Sequence, residues 1–307
     1  MDQTMIISIL MTVIGAATPL LLAALGELVV EKSGVLNLGV EGMMLIGAVT
    51  GFAVTSVTGA SLLGLVAAMA AATAAAMIFG FLTITLASNQ VATGLALTIF
   101  GIGLSSMIGE NFVGTTVPPL GPVFPEALAA NPVLRLVFGH SLLVYVSLAM
   151  TVAVAWFLAR SRGGLILRAV GENAHSAHSI GYSVTGVRYA AVAFGGAMAG
   201  LGGCYYSMVQ TPMWADQLTA GRGGIALALV VFSAWKPWRL LLGAYLFGAV
   251  MTFELQAKAA GINIVPPEFL AALPYLATIV VLALISMRRS VGGAAPACLG
   301  QPFKPAT

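Results

Sequence analysis

Charged residues are scarce in this chain: its 307 residues include only 13 lysines and arginines and 10 aspartates and glutamates. A soluble domain carries about 25% charged residues, so the 7% found here excludes an ordinary globular protein. Hydrophobic residues make up 59% of the chain, and apolar runs of roughly 20 residues recur along it, each long enough to cross a bilayer. Because backbone groups inside lipid must bond within their own segment, these runs predict an all-α, polytopic integral membrane protein, with the lipid bilayer as its surroundings.

Residues suited to catalysis are also few. The two cysteines give no disulfide or metal framework, and the three histidines fall in loops or at segment ends, which argues against an intramembrane enzyme. The phosphate-binding pattern G-x-x-x-x-G-K-[ST] is missing from the sequence, so energy from ATP would have to come from another chain. The net charge of +3 arises in short loops and does not indicate nucleic acid binding. We expect no cofactor and no enzymatic activity.

The apolar runs predict about eight or nine membrane segments within one transmembrane domain, residues 1–289. One run, 223–234, is too short to span a bilayer and predicts half of a broken helix. The predicted segments are 5–26, 35–57, 62–87, 91–108, 141–159, 190–208, 223–234, 240–257 and 270–287.

Lysine and arginine set the predicted orientation, because all the positive loops can be placed on one side, which is then cytoplasmic. That side holds a polar island, 161–189, and the tail 290–307, whose composition predicts a disordered cytoplasmic segment. The opposite side holds the loop 109–140, which contains five prolines and is predicted to fold as an external cap. The side of Met1 depends on whether residues 27–42 cross the bilayer or form a re-entrant loop, and both alternatives stay open.

The polar island contains a short predicted helix, from Ala174 to Ile180, with Asn173 as its cap and Gly181 as its C-terminal break. Residues 168–203, RAVGENAHSAHSIGYSVTGVRYAAVAFGGAMAGLGG, resemble the cytoplasmic coupling loop and following helix of ABC importer permeases. The likeness is closest to the nucleoside and simple-sugar branch, the branched-chain amino acid and ribose permease-like family.

Three other blocks resemble the same family, so the resemblance extends over roughly residues 15–290. They are ALGE at 24–27 with EKSGVLNLGVEGMM at 31–44, NQVATG at 89–94, and GRGGIALA at 221–228. The sequences VGEN and LGVEGMM favour nucleoside-type permeases over ribose or branched-chain amino acid types. Two departures concern contacts with the ATPase: Ala174-His175 replaces an expected proline and basic residue, and Ser233-Ala234 replaces a common Gly-Arg pair.

The resemblance implies the membrane-spanning permease subunit of an ATP-binding cassette importer for nucleosides or related purine and pyrimidine compounds, in the cell (inner, cytoplasmic) membrane. A simple sugar such as ribose is the alternative substrate. The implied partners are cytoplasmic ATP-binding subunits, a second, paralogous permease subunit, and an extracytoplasmic substrate-binding lipoprotein. The residues implied to couple to the ATPase are Arg168, Gly171, Glu172, Asn173 and Gly181.

A more distant alternative is an ion-coupled secondary transporter, which needs buried carboxylates within its segments. Only Glu254 meets that description in the sequence, and it lies near a segment end. The cluster of Glu27, Glu31, Lys32 and Glu41 is interpreted as a polar turn at the membrane interface, with a functional role as the alternative.

Six polar residues are candidates for the substrate pathway. Asn37 and Glu41 are one helical turn apart and can face a cavity, where a broken helix would point backbone N–H groups at a ligand. For the group that starts the fourth segment, helix capping and hydrogen bonding to substrate are equal alternatives. The candidates are Asn37, Glu41, Asn89, Gln90, Thr93 and Arg222.

Other groups have simpler interpretations. Glu172, His175 and His178 share one helix face, but no further ligand closes a metal shell, so we expect no metal. The aromatic residues Tyr205, Tyr206 and Trp214 are predicted to form an interfacial belt, with stacking on a nucleobase as the alternative. Small residues spaced four apart around Gly200 predict close helix packing.

Overall fold

The computed structural model describes residues 3–125, 131–259 and 295–304, together with the isolated positions 272, 276, 279, 280 and 283. Among these residues the chain is helical, and strand pairing is limited to isolated bridges. Helices α3 and α9 each end in a π-helical turn, Phe81–Thr85 and Tyr206–Gln210. The helices are α1 Gln3–Lys32, α2 Val40–Thr58, α3 Ser61–Gly80, α4 Gln90–Gly109, α5 Pro132–Phe138, α6 Leu142–Arg160, α7 Arg162–Glu172, α8 Ala174–Ser179, α9 Val184–Tyr205, α10 Arg222–Phe232 and α11 Pro237–Ala259.

Seven of these helices are long and apolar enough to cross a membrane, which confirms the prediction of an all-α, multi-pass membrane protein. They are α1, α2, α3, α4, α6, α9 and α11, and α10 is the short apolar helix expected from residues 223–234. The predicted segment 270–287 lies almost wholly outside the described residues.

Helix α1 is long and apolar enough to cross a membrane, and residues 33–39 connect it to α2 without forming a helix. The C-terminal end of α1 contacts the polar island, because the carbonyl of Lys32 lies directly against Gly171. With the island on the cytoplasmic side by the positive-inside rule, the N-terminal end of α1 is external. This orientation rests on the distribution of positive charge and stays a prediction, as do the alternatives at residues 27–42.

Helix α9 is the centre of the helix packing, with α1, α2 and α3 around it. Glycines on α9 allow these close approaches. A Cβ atom on Gly200 would lie 2.5 Å from the carbonyl oxygen of Ala68, and one on Gly203 would overlap the carbonyl of Met44. Association of helices in lipid depends on such backbone proximity, so the predicted small-residue packing is confirmed.

The described part of the loop 109–140 is folded against the end of α9. The N–H of Val117 donates to the Pro212 carbonyl at 3.2 Å, and the N–H of Leu120 donates to the Met208 carbonyl at 3.0 Å. Trp214 lies beneath this loop with only 2% of its surface exposed, and Tyr206 is equally buried. The prediction that these aromatic residues form an interfacial belt is therefore wrong.

The tail also differs from its prediction. Composition predicts disorder over 290–307, but residues 295–304 lie in a defined position against the polar island. The N–H of Cys298 donates to the Gly171 carbonyl at 2.9 Å, and the N–H of Gly300 donates to the Gly34 carbonyl at 3.1 Å. For residues 295–304 the expectation is corrected, since specific backbone bonds to Gly171 and Gly34 hold this short segment.

Replacing Gly200 by alanine should destabilise the protein by about 1–3 kcal/mol, since the added methyl group meets backbone atoms that cannot move independently. Gly103, on an exposed face of α4, has nothing within 4 Å of an added Cβ and provides the matched control. Thermal unfolding in detergent measures both variants. Equal unfolding temperatures for Gly200→Ala and Gly103→Ala would contradict the packing described for α9.

Candidate functional site

Helix α10 is too short to cross a membrane, and it packs against α1, α2 and α11. Its 11 residues extend about 16 Å, roughly half of the hydrocarbon thickness. The helix is preceded by Gly221, whose φ of +78° lies in the left-handed region that glycine tolerates. The first N–H groups of a helix have no partner within it, and none is supplied by lipid. Other side chains must therefore accept their hydrogen bonds.

Glu41, in the first turn of α2, is that acceptor. Its carboxylate receives the N–H of Gly221 at 2.8 Å and the N–H of Gly223 at 2.5 Å. The hydroxyl of Thr219 donates to the same carboxylate at 2.5 Å. A negative charge at a helix N-terminus also interacts favourably with the helix dipole. Gly223 is needed for this approach, because an added Cβ would lie 2.7 Å from backbone atoms of Glu41.

Arg222 lies beside this carboxylate cap and contacts Tyr206. Its guanidinium carbon is 4.7 Å from the centroid of the tyrosine ring, a cation–π geometry. Both residues line a cavity of about 250 Å³ between α1, α9, α10 and α11. Hydroxyl, amide and charged groups alternate with apolar groups along its wall, as in sites that bind polar organic solutes. The lining residues are Thr12, Ala16, Tyr206, Gln210, Ala220, Arg222, Ile225, Met251, Thr252, Glu254, Leu255 and Lys258.

Glu27 and Asn37 form a second buried polar contact, next to the carboxylate cap. The backbone N–H and the side-chain amide of Asn37 donate to the two carboxylate oxygens of Glu27, at 3.2 and 3.3 Å. The Asn37 side-chain oxygen accepts the N–H of Gly39 at 3.0 Å. These bonds fix the 33–39 turn that leads into α2.

Glu31 contacts the other end of α10. Its carboxylate accepts the indole N–H of Trp235, just beyond that end, at 2.5 Å. Only 1% of Glu27 and 2% of Glu31 are exposed, so the interpretation of this cluster as an interfacial polar turn is wrong for both. Glu27 is a buried carboxylate within α1, so the expectation that Glu254 is the only candidate for a buried carboxylate within a segment is wrong as well. Glu254 itself forms an ion pair with Lys258 at 2.7 Å.

Two polar residues at the start of α4 bond locally, and a third bonds to the 33–39 turn. Asn89 caps α4 by accepting the Ala92 N–H at 3.0 Å, and Thr93 donates to the Asn89 carbonyl at 2.8 Å. Gln90 is buried and accepts the N–H of Leu36, in the 33–39 turn, at 2.7 Å. The six candidate pathway residues are thus divided. Glu41 and Arg222 lie together at the start of α10, Asn37 and Gln90 hold the 33–39 turn, and Asn89 and Thr93 stabilise the start of α4.

The polar island contains the predicted short helix. Asn173 caps α8 by accepting the Ser176 N–H at 2.9 Å, and Gly181 follows it with φ of +93°. Gly171 packs against the end of α1, and Arg168 lies on α7. The side chain of Glu172 accepts the N–H of Ala297 at 3.4 Å. Among the residues described, no group of three His, Cys, Asp or Glu side chains could hold a metal ion.

Sequence reasoning missed most of the cavity wall. Thr12, Gln210 and Thr252 come from α1, the π-helical turn after α9, and α11, and none of them belongs to a recognisable motif. Their convergence depends on how the helices rotate against each other, which one sequence does not reveal. Thr219, which bonds to Glu41, lies two residues before Gly221. The glycine-rich break that begins at Gly221 could have indicated this residue from the sequence.

Glu41→Gln should lower the stability of the folded protein by about 2 kcal/mol, because an amide nitrogen would face a backbone donor at the start of α10. Thermal unfolding in detergent measures this change. Glu110→Gln is the matched control, since that carboxylate is exposed at the end of α4. An unchanged unfolding temperature for Glu41→Gln would contradict the assignment of this carboxylate as the cap of α10.

A family model described as branched-chain amino acid transport system, permease component, matches residues 9–285. The putative glucose ABC transporter permease protein TsgC13 of Haloferax volcanii is 40% identical, over 94% of each chain. The guanosine ABC transporter permease protein NupQ of Bacillus subtilis is 31% identical, over 92% of this chain and 93% of its own length. The nucleoside ABC transporter permease protein NupC of Lactococcus lactis is 30% identical, over 87% and 89%.

Two of these organisms each contain a second similar permease. They are the glucose ABC transporter permease protein TsgB13 and the guanosine ABC transporter permease protein NupP, each 27% identical to this chain. No solved structure matches the chain.

Proposed function

The chain belongs to the family of branched-chain amino acid transport system permease components, and on this premise we propose that it is the membrane-spanning subunit of an ATP-driven importer of nucleosides. It is a multi-pass protein of the cell membrane with a transport role. Two of its relatives are named for guanosine or nucleosides. The chemistry of the cavity at the start of α10 supports a neutral, hydrogen-bonding solute of this kind.

The observation that carries the proposal is the cavity beside the start of the short helix α10. Arg222, Gln210 and Thr252 supply donors and acceptors for hydroxyl and ring nitrogen atoms, while Ile225 and Met251 supply apolar contact. Glu41 occupies the N–H groups of α10, so the positive end of this helix is neutralised by the protein. An anionic solute would therefore find less attraction here than at a bare helix terminus.

A hexose is the second candidate substrate, and a specific similarity favours it. TsgC13, named as a putative glucose permease, is 40% identical to this chain over nearly its full length. A hexose presents hydroxyl groups like those on the ribose of a nucleoside, but it has no aromatic base. Discrimination between the two classes depends on the apolar part of the cavity wall.

The proposed machine needs partner chains. We propose that ATP-binding subunits dock on α8 and the residues around it, namely Arg168, Gly171, Glu172, Asn173 and Gly181. A substrate-binding lipoprotein would deliver the solute on the external side. A paralogous second permease would complete the channel, a proposal supported by the paired permeases of the two relatives' systems.

Uptake of radiolabelled guanosine, uridine, glucose and ribose by cells that express the complete transporter tests the substrate. Saturable nucleoside uptake that stops when ATP is depleted is the expected result. Glucose uptake without nucleoside uptake would select the second candidate. Uptake that continues without ATP but stops when the ion gradient is dissipated would contradict an ATP-driven importer.

Arg222→Gln should reduce nucleoside uptake by about tenfold or more, because a charged hydrogen-bond donor is removed from the cavity. Arg239→Gln is the matched control, since Arg239 is an exposed arginine near the start of α11. Initial uptake rates at equal membrane abundance measure both variants. Equal rates for the two would remove Arg222 from the substrate pathway.

Asn173→Ala should weaken capture of the ATP-binding subunit by about fivefold, because it removes the cap of the six-residue helix α8. Asn131→Ala removes a similar cap, from α5 in the external loop, and is the matched control. Affinity capture from mild detergent, followed by quantification of the bound subunit, measures both. Equal losses in the two variants would indicate a general folding defect and contradict docking on α8.

A further inference from the structure

Residues 295–304 join two parts of the cytoplasmic face that are far apart in sequence, and we name this segment the C-terminal clasp. Its Cys298 N–H donates to the carbonyl of Gly171, in α7, and its Gly300 N–H donates to the carbonyl of Gly34, just after α1. The distances are 2.9 and 3.1 Å. Two neighbouring backbone bonds thus link the polar island to the 33–39 turn.

Arg188, near the start of α9, adds a third link. Its Nε donates to the Ser33 carbonyl at 3.3 Å, and its Nη1 donates to the Gln301 carbonyl at 3.1 Å. Only 2% of this arginine is exposed. A buried guanidinium needs acceptors, and here one of them comes from the clasp. Removing the clasp therefore leaves a buried charge with one fewer partner.

Phe303 brings the clasp to α8. Its ring centroid is 5.2 Å from that of His175 and 5.5 Å from that of His178. Phe303 and Cys298 pack on the small apolar cluster that contains Ala174 and Ala177, the buried side of α8. The clasp is a support behind this short helix.

The opposite side of α8 remains open. Ser176 and Ser179 are exposed, as is 71% of Ile180, the residue that follows the helix. A segment that blocked the docking of a partner would cover these residues, and the clasp does not. Its position is that of a support for a docking helix rather than of an inhibitor.

The connections of the 33–39 turn give this support a mechanical consequence. Asn37 in the turn binds Glu27 of α1, and Glu41 just beyond it caps α10. A displacement of α8 can therefore reach the cavity through backbone bonds and buried side chains that are continuous from the clasp to α10. Coupling between distant sites requires a physical connection of this kind or a shared two-state element.

We propose that the C-terminal clasp is a positioning element that holds α8 against the 33–39 turn and is required for the ATP-binding subunit to drive transport. This inference rests on the proposed function, in which α8 is the docking helix. The inference adds the clasp, which is distant in sequence from α8, to the residues that the docking of the ATP-binding subunit requires. The partner is the ATP-binding subunit, which would contact the exposed side of α8.

Phe303→Ala tests the inference, with Lys304→Ala as the matched control because Lys304 is an exposed neighbour in the clasp. A chain that ends at Pro302 is the second variant. The chain has two cysteines, and Cys204 is fully buried, so a water-soluble maleimide on the folded protein reports on Cys298 in the clasp. Labelling of Cys204 would reveal a variant that has lost its fold.

We expect Phe303→Ala and the shortened chain to speed the labelling of Cys298 and to weaken binding of the ATP-binding subunit by about tenfold. The subunit used is the one that copurifies with the wild-type chain. Substrate-stimulated ATP hydrolysis should fall by a similar factor, and Lys304→Ala should match the wild type in every measurement.

Three results would overturn the inference. Faster labelling of Cys298 with unchanged subunit binding and ATP hydrolysis would show that the clasp is released without consequence. Unchanged labelling in both variants would show that Phe303 does not hold the clasp. Failure of the wild-type chain itself to bind any ATP-binding subunit would contradict the proposed function first, and the inference with it.

Discussion

A helix that ends inside a membrane protein must have its terminal N–H groups satisfied by the protein, and in this chain Glu41 meets that requirement for α10. The carboxylate can do so because Gly223 lets α2 and α10 approach closely. The cavity beside Arg222 exists because α10 is short and its start is held in place. Loss of the cap would remove the acceptor of two backbone N–H groups at the start of α10.

Carboxylates at both ends of α10 connect this helix to the chain around the 33–39 turn. Glu41 binds its N-terminal end, and Glu31 binds Trp235 beyond its C-terminal end. Glu27 holds Asn37 within the turn that separates these two acidic residues. The same turn is bonded to the C-terminal clasp on the cytoplasmic side. A single short segment therefore lies between the proposed docking helix and the proposed substrate cavity.

Much of the architecture could be predicted from the sequence, because apolar length and capping residues act locally. Asn173 and Asn89 cap the helices that their positions indicated, and the short run near 223–234 is the short helix α10. The partners of buried polar residues could not be predicted, since Glu31 and Trp235 are about 200 residues apart in sequence. The tail was misjudged for the same reason: its order depends on acceptors at Gly34 and Gly171 rather than on its own composition.

The central claim is that substrate passes the cavity at the start of α10, and protection of a cysteine in its wall tests this most directly. In the complete transporter, with Cys204 and Cys298 of this chain replaced by alanine, Thr12→Cys introduces a thiol at an exposed position of that wall. We predict that nucleoside slows its labelling several-fold, whereas labelling of Thr58→Cys, exposed at the end of α2, stays unchanged. Equal labelling of Thr12→Cys with and without each transported solute would contradict the claim.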